Sequence, residues 1–265
     1  MSEVSDKWND SNPYEYFMGR WSRKLAPSFV KLLHIKSNDT VVDVGCGTGA
    51  LSKSLVEVHP HIRLIGIEPS LQFKREAQQF LKTDGKILVG DASNIPLRDH
   101  SADLILSGLA LNFFPDIHLA MSEMKRVCKT SGIISAYVWD YAEGMKMLRI
   151  FWDTAISLNP EAANLDEGSR FPICNPGSLL ALFKSNGLTN IEVEYIDAYQ
   201  NFKNFDDYWN PFLGGQGPAP AYVASLNNKE RSALKTKLEY ALPTNKDGTV
   251  TLISRAIAIK GINPK

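Results

Sequence analysis

Val41-Val42-Asp43-Val44-Gly45-Cys46-Gly47-Thr48-Gly49 decides the fold of this chain. Its apolar first half reads as a buried strand. Three glycines at alternate positions then lead into an amphipathic stretch, ALSKSLVEV (50–58). Glycine lacks the β-carbon that would hinder a tight turn or the close approach of a ligand. The start of the following helix offers unpaired N–H groups and a partial positive charge to an anion. Strand, glycine turn and helix in this order open a doubly wound α/β sheet. Glycines at such a turn can also serve packing alone, so any function has to be read from further residues.

Outward from this turn, short β-branched runs alternate with amphipathic stretches. Strands are predicted at 40–44, 63–68, 86–89, 102–107 and 133–139, the first five being nearly continuous apolar runs suited to burial on both faces. Two more are predicted at 190–196 and 250–259. Ser70 is placed to cap a helix with Leu71, Phe73, Ala77, Phe80 and Leu81 on one side. Asp116 is placed to open another, with Ile117, Ala120, Met121, Met124 and Val127 as its stripe, and Gly132 to turn the chain into the fifth strand. Asn175-Pro176 and Gly187 bracket a third helix. Residues 13–35 read as a helix broken or bent at Pro27.

The expected organisation is one domain over 1–265, with a helical lead-in at 1–37 and a ligand-binding core at 38–140. Two regions interrupt the alternation. Residues 141–174 read as a helix and loop. Residues 197–249 hold an aromatic-rich segment, a glycine-rich GGQGPAP and a polar helix near 228–241.

The 265 residues carry 29 Lys+Arg and 29 Asp+Glu, so there is no net attraction to nucleic acid or anionic lipid. Cys46, Cys128 and Cys174 form no Cys-x-x-Cys pair, which suggests neither a disulfide framework nor a metal site. The polar N-terminus lacks a secretory h-region, and no apolar run reaches the ~18–20 residues of a membrane span. The expected compartment is the cytosol.

Chemistry is carried by residues at the strand ends. Glu68 lies 19 residues beyond Gly49, near the ~20-residue spacing at which a carboxylate grips ribose hydroxyls. It could instead be solvated or cap the helix that begins at Ser70. Asp91, after Gly90 at the end of the third strand, could accept a bond from an exocyclic amine or close an Asx turn. Ser107-Gly108-Leu109-Ala110-Leu111-Asn112-Phe113-Phe114 ends the fourth strand, where its residues could face a ligand crevice or pack a helix.

VVDVGCGTG, IGIEPS, GDASNIPLRDHSADLILSGLALNFFPD and MKRVCKTSGIISAYVWD together resemble the successive motifs of class I S-adenosylmethionine (SAM)-dependent methyltransferases. The similarity covers about residues 38–140 and is nearest the small-molecule branch that includes ubiquinone/menaquinone C-methyltransferases. FMGRWSR is also similar to the lead-in of several members. The resemblance implies a seven-stranded, mostly parallel sheet with helices on both faces, its last strand antiparallel, and helical insertions after the fifth and sixth strands. It implies SAM as cofactor and a small-molecule acceptor; the charge balance gives no expectation of a nucleic-acid partner, and the hydropathy gives none of a membrane span. Gly45 and Gly47 would then lie against the methionine portion, and Glu68 would hold both ribose hydroxyls. Asp91 would hold the adenine amine with Ala92 beside the ring. Asp43 would shape the loop and help bind the methionine amino group. Cys46, Pro69, Ser107 and Leu109 complete the implied cofactor-binding set. Arg20 would reach the SAM carboxylate, unless it is an ordinary surface arginine.

The resemblance stops informing beyond residue 141. The interruptions at 141–174 and 197–249 fall where members of the family place acceptor pockets. No Asn-Pro-Pro-Tyr or Asp-Pro-Pro-Tyr follows the fourth strand, so the signature of base amino-methylation is missing. Asp140, His118 and Tyr141 are candidate general bases, Asp140 first because Trp139-Asp140 ends the fifth strand. Tyr208, Trp209 and Phe212 could line a lid hinged at Gly214-Gly215-Gln216-Gly217, or could simply pack the insertion. Two other functions are open. Gly45-x-Gly47-x-x-Ala50 also fits an NAD(P)-dependent oxidoreductase, and Tyr199-x-x-x-Lys203 matches a dehydrogenase pair, though it follows the sixth strand. A non-catalytic SAM-binding scaffold is the other.

Overall fold

Apolar runs bracketed by glycine and polar residues become strands here because a sheet flanked by helices is buried on both faces. The computed structural model describes residues 15–214 and 217–264. The strands are β1 (Thr40–Val44), β2 (Arg63–Glu68), β3 (Gly85–Val89), β4 (Ala102–Gly108), β5 (Cys128–Trp139), β6 (Thr189–Phe202) and β7 (Val250–Ile262). Among the described residues, the helices of eight or more are α1 (Arg20–Val30), α2 (Ala50–Val58), α3 (Leu71–Leu81), α4 (Ile117–Val127), α5 (Lys146–Leu158), α6 (Pro176–Ser185), α7 (Pro218–Ser225) and α8 (Asn228–Ala241).

The strand order is β3-β2-β1-β4-β5-β7-β6. The pairs from β3 to β5 are parallel, and the last two pairs are antiparallel. Asn263, just past β7, exchanges backbone hydrogen bonds with Ser131 and Gly132 at the start of β5. The register aligns the strand ends. Asp43 pairs with Gly66 and with Leu106, and Glu68 pairs with Val89. Gly45, Glu68, Gly90 and Ser107 are thereby brought to one edge of the sheet. The seven-stranded, mostly parallel α/β architecture is that implied by the sequence motifs.

The chain divides into two units. The sheet unit comprises 22–138, 173–196 and 256–265. The other comprises the described part of 1–21 with 139–172 and 197–255, so its larger segments begin close to the two interruptions of the α/β pattern. The core of the sheet unit is aliphatic at its centre: Val41, Val42, Val44, Leu55, Ile67, Ile105 and Leu106 are all buried. The core of the other unit is aromatic. Phe212 stacks on Phe151 at 4.6 Å between ring centres, and Phe17 and Tyr208 meet Phe212 at 5.2 Å.

Local signals explain most helix ends. Ser70 Oγ accepts the Phe73 N–H, Asp116 accepts from His118 and Leu119, and Asn175 accepts from Gly177 and Ser178. Gly187 closes α6 in the left-handed region, with φ +72°. Several expectations are corrected. The described part of the lead-in, from Glu15, runs helically without a break through Pro27; residues 13–14 lie outside the described residues. On α3 only Phe73, Ala77 and Leu81 are buried, while Leu71 and Phe80 face outward. β3 is an edge strand with Ile87 as its one buried residue, so it is not buried on both faces. The turn into β5 is not made at Gly132. β5 starts at Cys128, directly after α4, and Ser131 takes the positive φ. Gly132 serves close approach, since a Cβ there would meet Asp103 O at 2.8 Å. β6 runs to Phe202, so the second interruption begins inside a strand.

Candidate functional site

The glycine turn is built as its sequence requires. Gly45, Gly47 and Gly49 have φ of +72°, +55° and +88°, a region that side chains with a Cβ disfavour. The N–H groups of Gly45 and Cys46 both donate to Ile67 O, which ties the turn to the end of β2. A Cβ at Gly45 would lie 2.7 Å from Ala110 Cβ and 3.2 Å from the Phe114 ring, so 110–114 closes over this residue. At Gly47 nothing lies within 4 Å of the same position. Packing therefore accounts for the first glycine and not for the second. Gly49 precedes α2 without any side-chain cap, which leaves the first N–H groups of α2 to the turn.

Two buried carboxylates stand behind the turn. Glu68 Oε2 accepts the Gly47 N–H and Oε1 accepts the Ser70 N–H, both at 2.9 Å. It thus holds the glycine turn against the start of α3. A carboxylate offers about four lone-pair positions, so about two remain for a ligand. Burial raises the pKa of Glu68, and the two N–H donors oppose the rise. Asp43 is fully buried in β1. Its Oδ2 accepts from Ser52 Oγ at 2.7 Å, while Oδ1 has no partner. Burial pushes its pKa up to about 7, with the nearby Glu68 charge adding to the effect of burial. An unpaired oxygen and a second carboxylate nearby favour a ligand that brings positive charge and N–H donors.

The remaining predicted residues differ in what they offer. Asp91 Oδ1 accepts the Ser93 N–H at 2.7 Å, so the Asx turn is real and occupies one oxygen only. Ala92 is buried and Pro69 exposed. Cys46 is buried, and burial pushes its thiol well up, so it is no nucleophile. Its Sγ packs where a Cβ on Gly66 would be, 2.8 Å away. Ser107 Oγ is buried without a partner, as is Asn112 Nδ2. Leu109 sits at φ +57° and donates its N–H to Tyr137 O.

Arg20 and Asp140 belong to the other unit. Arg20 donates to Asp207 Oδ1 and O at 3.1 and 3.2 Å and lies over the Trp21 ring. Asp140 organises a turn: its carbonyl accepts from Gly144 and Met145, and its Oδ1 from Glu143. His118 lies on the exposed face of α4. Tyr141 is buried beside Phe171. Tyr208, Trp209 and Phe212 are buried in the aromatic core, with Tyr208 Oη donating to Met147 O. These rings pack the insertion and are not an open lining. Of the expected hinge, Gly215 and Gln216 lie outside the described residues. Tyr199 is on β6, where four residues span about 13 Å, so Lys203 is not its neighbour as a helical pair would be.

Two site residues escaped the reading of the sequence. Ser52 is the hydrogen-bond donor to Asp43, and Gly66 makes room for Cys46. Gly66 had a signal, since a glycine inside an apolar strand marks close approach. Ser52 had none beyond its place in the first turn of α2.

Comparison with known proteins gives the same localisation. The family described as "Methyltransferase domain" matches residues 42–136. Demethylmenaquinone methyltransferase of Thermotoga maritima is 31% identical over 113 residues, which are 43% of this chain and 47% of that protein. Malonyl-(acyl-carrier protein) O-methyltransferase of Yersinia pestis is 32% identical over 120 residues, 42% of this chain and 41% of that one. The matched stretch thus spans about half the length of these curated relatives or less. Among solved structures, phosphoethanolamine N-methyltransferase 2 of Haemonchus contortus, in complex with S-adenosylhomocysteine, has a TM-score of 0.58 at 14% identity. It covers 96% of this chain and 56% of its own, a likeness of fold alone. The glycine turn and both buried carboxylates fall inside the stretch, residues 42–136, that matches the methyltransferase domain family, and the similarity is to SAM-dependent methyltransferases.

Proposed function

We propose that this chain transfers a methyl group from SAM to a small-molecule acceptor and releases S-adenosylhomocysteine. The observation that carries the reading is Glu68, a buried carboxylate that fastens the glycine turn through Gly47 N–H and Ser70 N–H and keeps lone pairs to spare. Those lone pairs take the ribose hydroxyls. The outer oxygen of Asp91 takes the adenine amine, with Ala92 beside the ring. Gly45 and Gly47 face the methionine portion, and Asp43 Oδ1 accepts from its ammonium group. Cys46, Pro69, Ser107 and Leu109 complete the walls. When bound, SAM supplies an electrophilic methyl group on a sulfonium. The work of the protein is to hold the acceptor in line with it and exclude water. Asp140 Oδ1 accepts the Glu143 N–H, which leaves Oδ2 to serve as the general base if the acceptor has to lose a proton.

A small acceptor is supported by the zero net charge, which gives no general attraction to nucleic acid. The two curated relatives carry names for different acceptors at nearly equal identity, so the shared domain speaks for the methyl donor and leaves the acceptor to the rest of the chain. Among the described residues no helix is long and apolar enough to cross a membrane. The three buried free thiols support a reducing compartment such as the cytosol.

Differential scanning fluorimetry with S-adenosylhomocysteine, NADH and NADPH tests the donor, since a ligand that binds only the native state raises its melting temperature. S-adenosylhomocysteine alone should do so. Stabilisation by NADH and none by S-adenosylhomocysteine would overturn the reading. Release of S-adenosylhomocysteine across a panel of phenolic, amine and carboxylate acceptors then identifies the substrate.

A further inference from the structure

Arg126, in the last turn of α4, has all five of its N–H donors engaged. Nε donates to Glu123 Oε1 at 2.6 Å. Nη1 donates to Leu97 O at 2.9 Å and to Asp99 Oδ1 at 2.7 Å. Nη2 donates to Ile95 O at 2.9 Å and to Glu123 Oε2 at 2.7 Å. Glu123 Oε2 also accepts the Ile95 N–H at 2.9 Å. Both backbone groups of Ile95 are therefore held by one ion pair on α4, and its side chain is buried. The arginine lowers the pKa of both Glu123 and Asp99, so both acids stay charged against it.

The segment held in this way begins at the candidate adenine site. Asp91 is four residues before Ile95, and the connection between them is short and closed. Asp91 Oδ1 accepts the Ser93 N–H, and Asp91 O accepts the Asn94 N–H at 3.3 Å. With β3 fixed at one end and Ile95 at the other, the carboxylate of Asp91 has little freedom left. This arrangement is costly for a connection between two strands, which could simply be solvated. It is explained if the position of Asp91 matters.

We infer that the Arg126–Glu123 pair is a positioning device that sets adenine recognition at Asp91 from the far end of α4. The inference rests on the proposed SAM reading. Neither residue touches the nucleoside; they act through the backbone of residues 95–97. Lysine cannot replace Arg126, because a point charge with three donors cannot reproduce a planar fork that serves five acceptors.

The test is titration calorimetry with S-adenosylhomocysteine and with S-inosylhomocysteine, in which a carbonyl replaces the adenine amine, on wild type and Arg126→Lys. Wild type should prefer the adenine compound. Arg126→Lys should lose about tenfold in affinity for it, the size of one hydrogen bond to a charged group. Its weaker affinity for the inosine compound should change by less than about threefold, so the preference collapses. Glu123→Gln, which keeps side-chain volume and one acceptor, should move the preference the same way and serves if Arg126→Lys does not fold. A lowered melting temperature with an unchanged preference, in whichever variant folds, would overturn the inference and leave the pair a structural one. If wild type bound neither compound, the cofactor reading would fall, and the positioning role with it.

Discussion

The glycine-rich end of the sheet unit and the aromatic core of the other unit are held by different kinds of contact. At the sheet end, Asp43 Oδ1, Ser107 Oγ and Asn112 Nδ2 are buried without partners, and Leu109 is held at a positive φ. In the aromatic unit, Tyr208 Oη donates to Met147 O, the Trp152 indole N–H donates to the Glu167 carboxylate, and Arg149 pairs with Asp166 at 2.7 Å. The pairing there is not complete, because Gln200 Oε1, Arg231 Nε and Ser254 Oγ have no partner among the described residues. The contrast teaches where each region spends its free energy. Unmet bonds cost about 1–3 kcal/mol each, and at the sheet end two of them fall on candidate cofactor residues, Asp43 and Ser107. Stacked rings and paired carboxylates hold a shape.

The largest effect expected from this contrast is on the aromatic side. Phe212→Ala removes a fully buried ring that touches Phe17, Phe151 and Tyr208. It should cost about 3–5 kcal/mol in urea unfolding, while the folded fraction keeps its affinity for S-adenosylhomocysteine. Loss of that affinity at normal stability would invert the assignment of roles.

Gly45→Ala should cost roughly 1–2 kcal/mol for the left-handed backbone, plus about 1–3 kcal/mol for crowding against Ala110 and Phe114. Gly47→Ala meets no neighbour. It should cost only the backbone part in stability yet weaken S-adenosylhomocysteine binding at least as much. Equal behaviour of the two variants in both measurements would remove the distinction between a glycine needed for packing as well as for the ligand and one needed for the ligand alone.

Glu68→Ala should weaken S-adenosylhomocysteine binding by roughly 1.5–3 kcal/mol in titration calorimetry. A loss under about 0.5 kcal/mol, below any hydrogen bond to a charged group, would confine Glu68 to fastening the turn.

The smallest effect is on pH dependence. Each region holds a carboxylate pushed up to about 7, chiefly by burial: Asp43 in one and Glu167 in the other. A raised carboxylate binds more protons in the folded than in the unfolded state. Its contribution to stability is full below the ordinary carboxylate pKa and is lost as pH rises through about 7. Stability should therefore fall between pH 4 and 7.5, and Asp43→Asn or Glu167→Gln should each recover on the order of 1 kcal/mol at pH 7.5. Saturating SAM should offset the loss due to Asp43 and leave that due to Glu167. A flat profile in wild type would show both groups to be solvated.

By itself the sequence determined the sheet and the edge on which its candidate site residues fall. β1 and β2 keep the bounds their apolar runs predict, and Ser70, Asp116 and Asn175 cap the helices they precede. These features are local: burial of a short run, one side-chain oxygen two or three residues from its N–H, a glycine where φ is positive. The candidate cofactor residues were legible for the same reason, since strand ends and glycine turns recur at fixed spacing. What only the tertiary structure decided is long-range. Polar Lys129-Thr130-Ser131 joined β5, with the Ser131 N–H taken up by Asn263 O and the Lys129 ammonium by the Asp103 carboxylate. Arg20 was claimed by Asp207, 187 residues away. Phe80 on α3 and Tyr208 beyond β6 are both aromatic in sequence, yet one faces outward and the other is sealed in a core. Composition and periodicity record how apolar a position is. Which partner satisfies it depends on contacts between residues far apart in the chain, and Arg126 shows this most plainly, an apparently ordinary helix arginine three of whose donors hold a loop some thirty residues earlier.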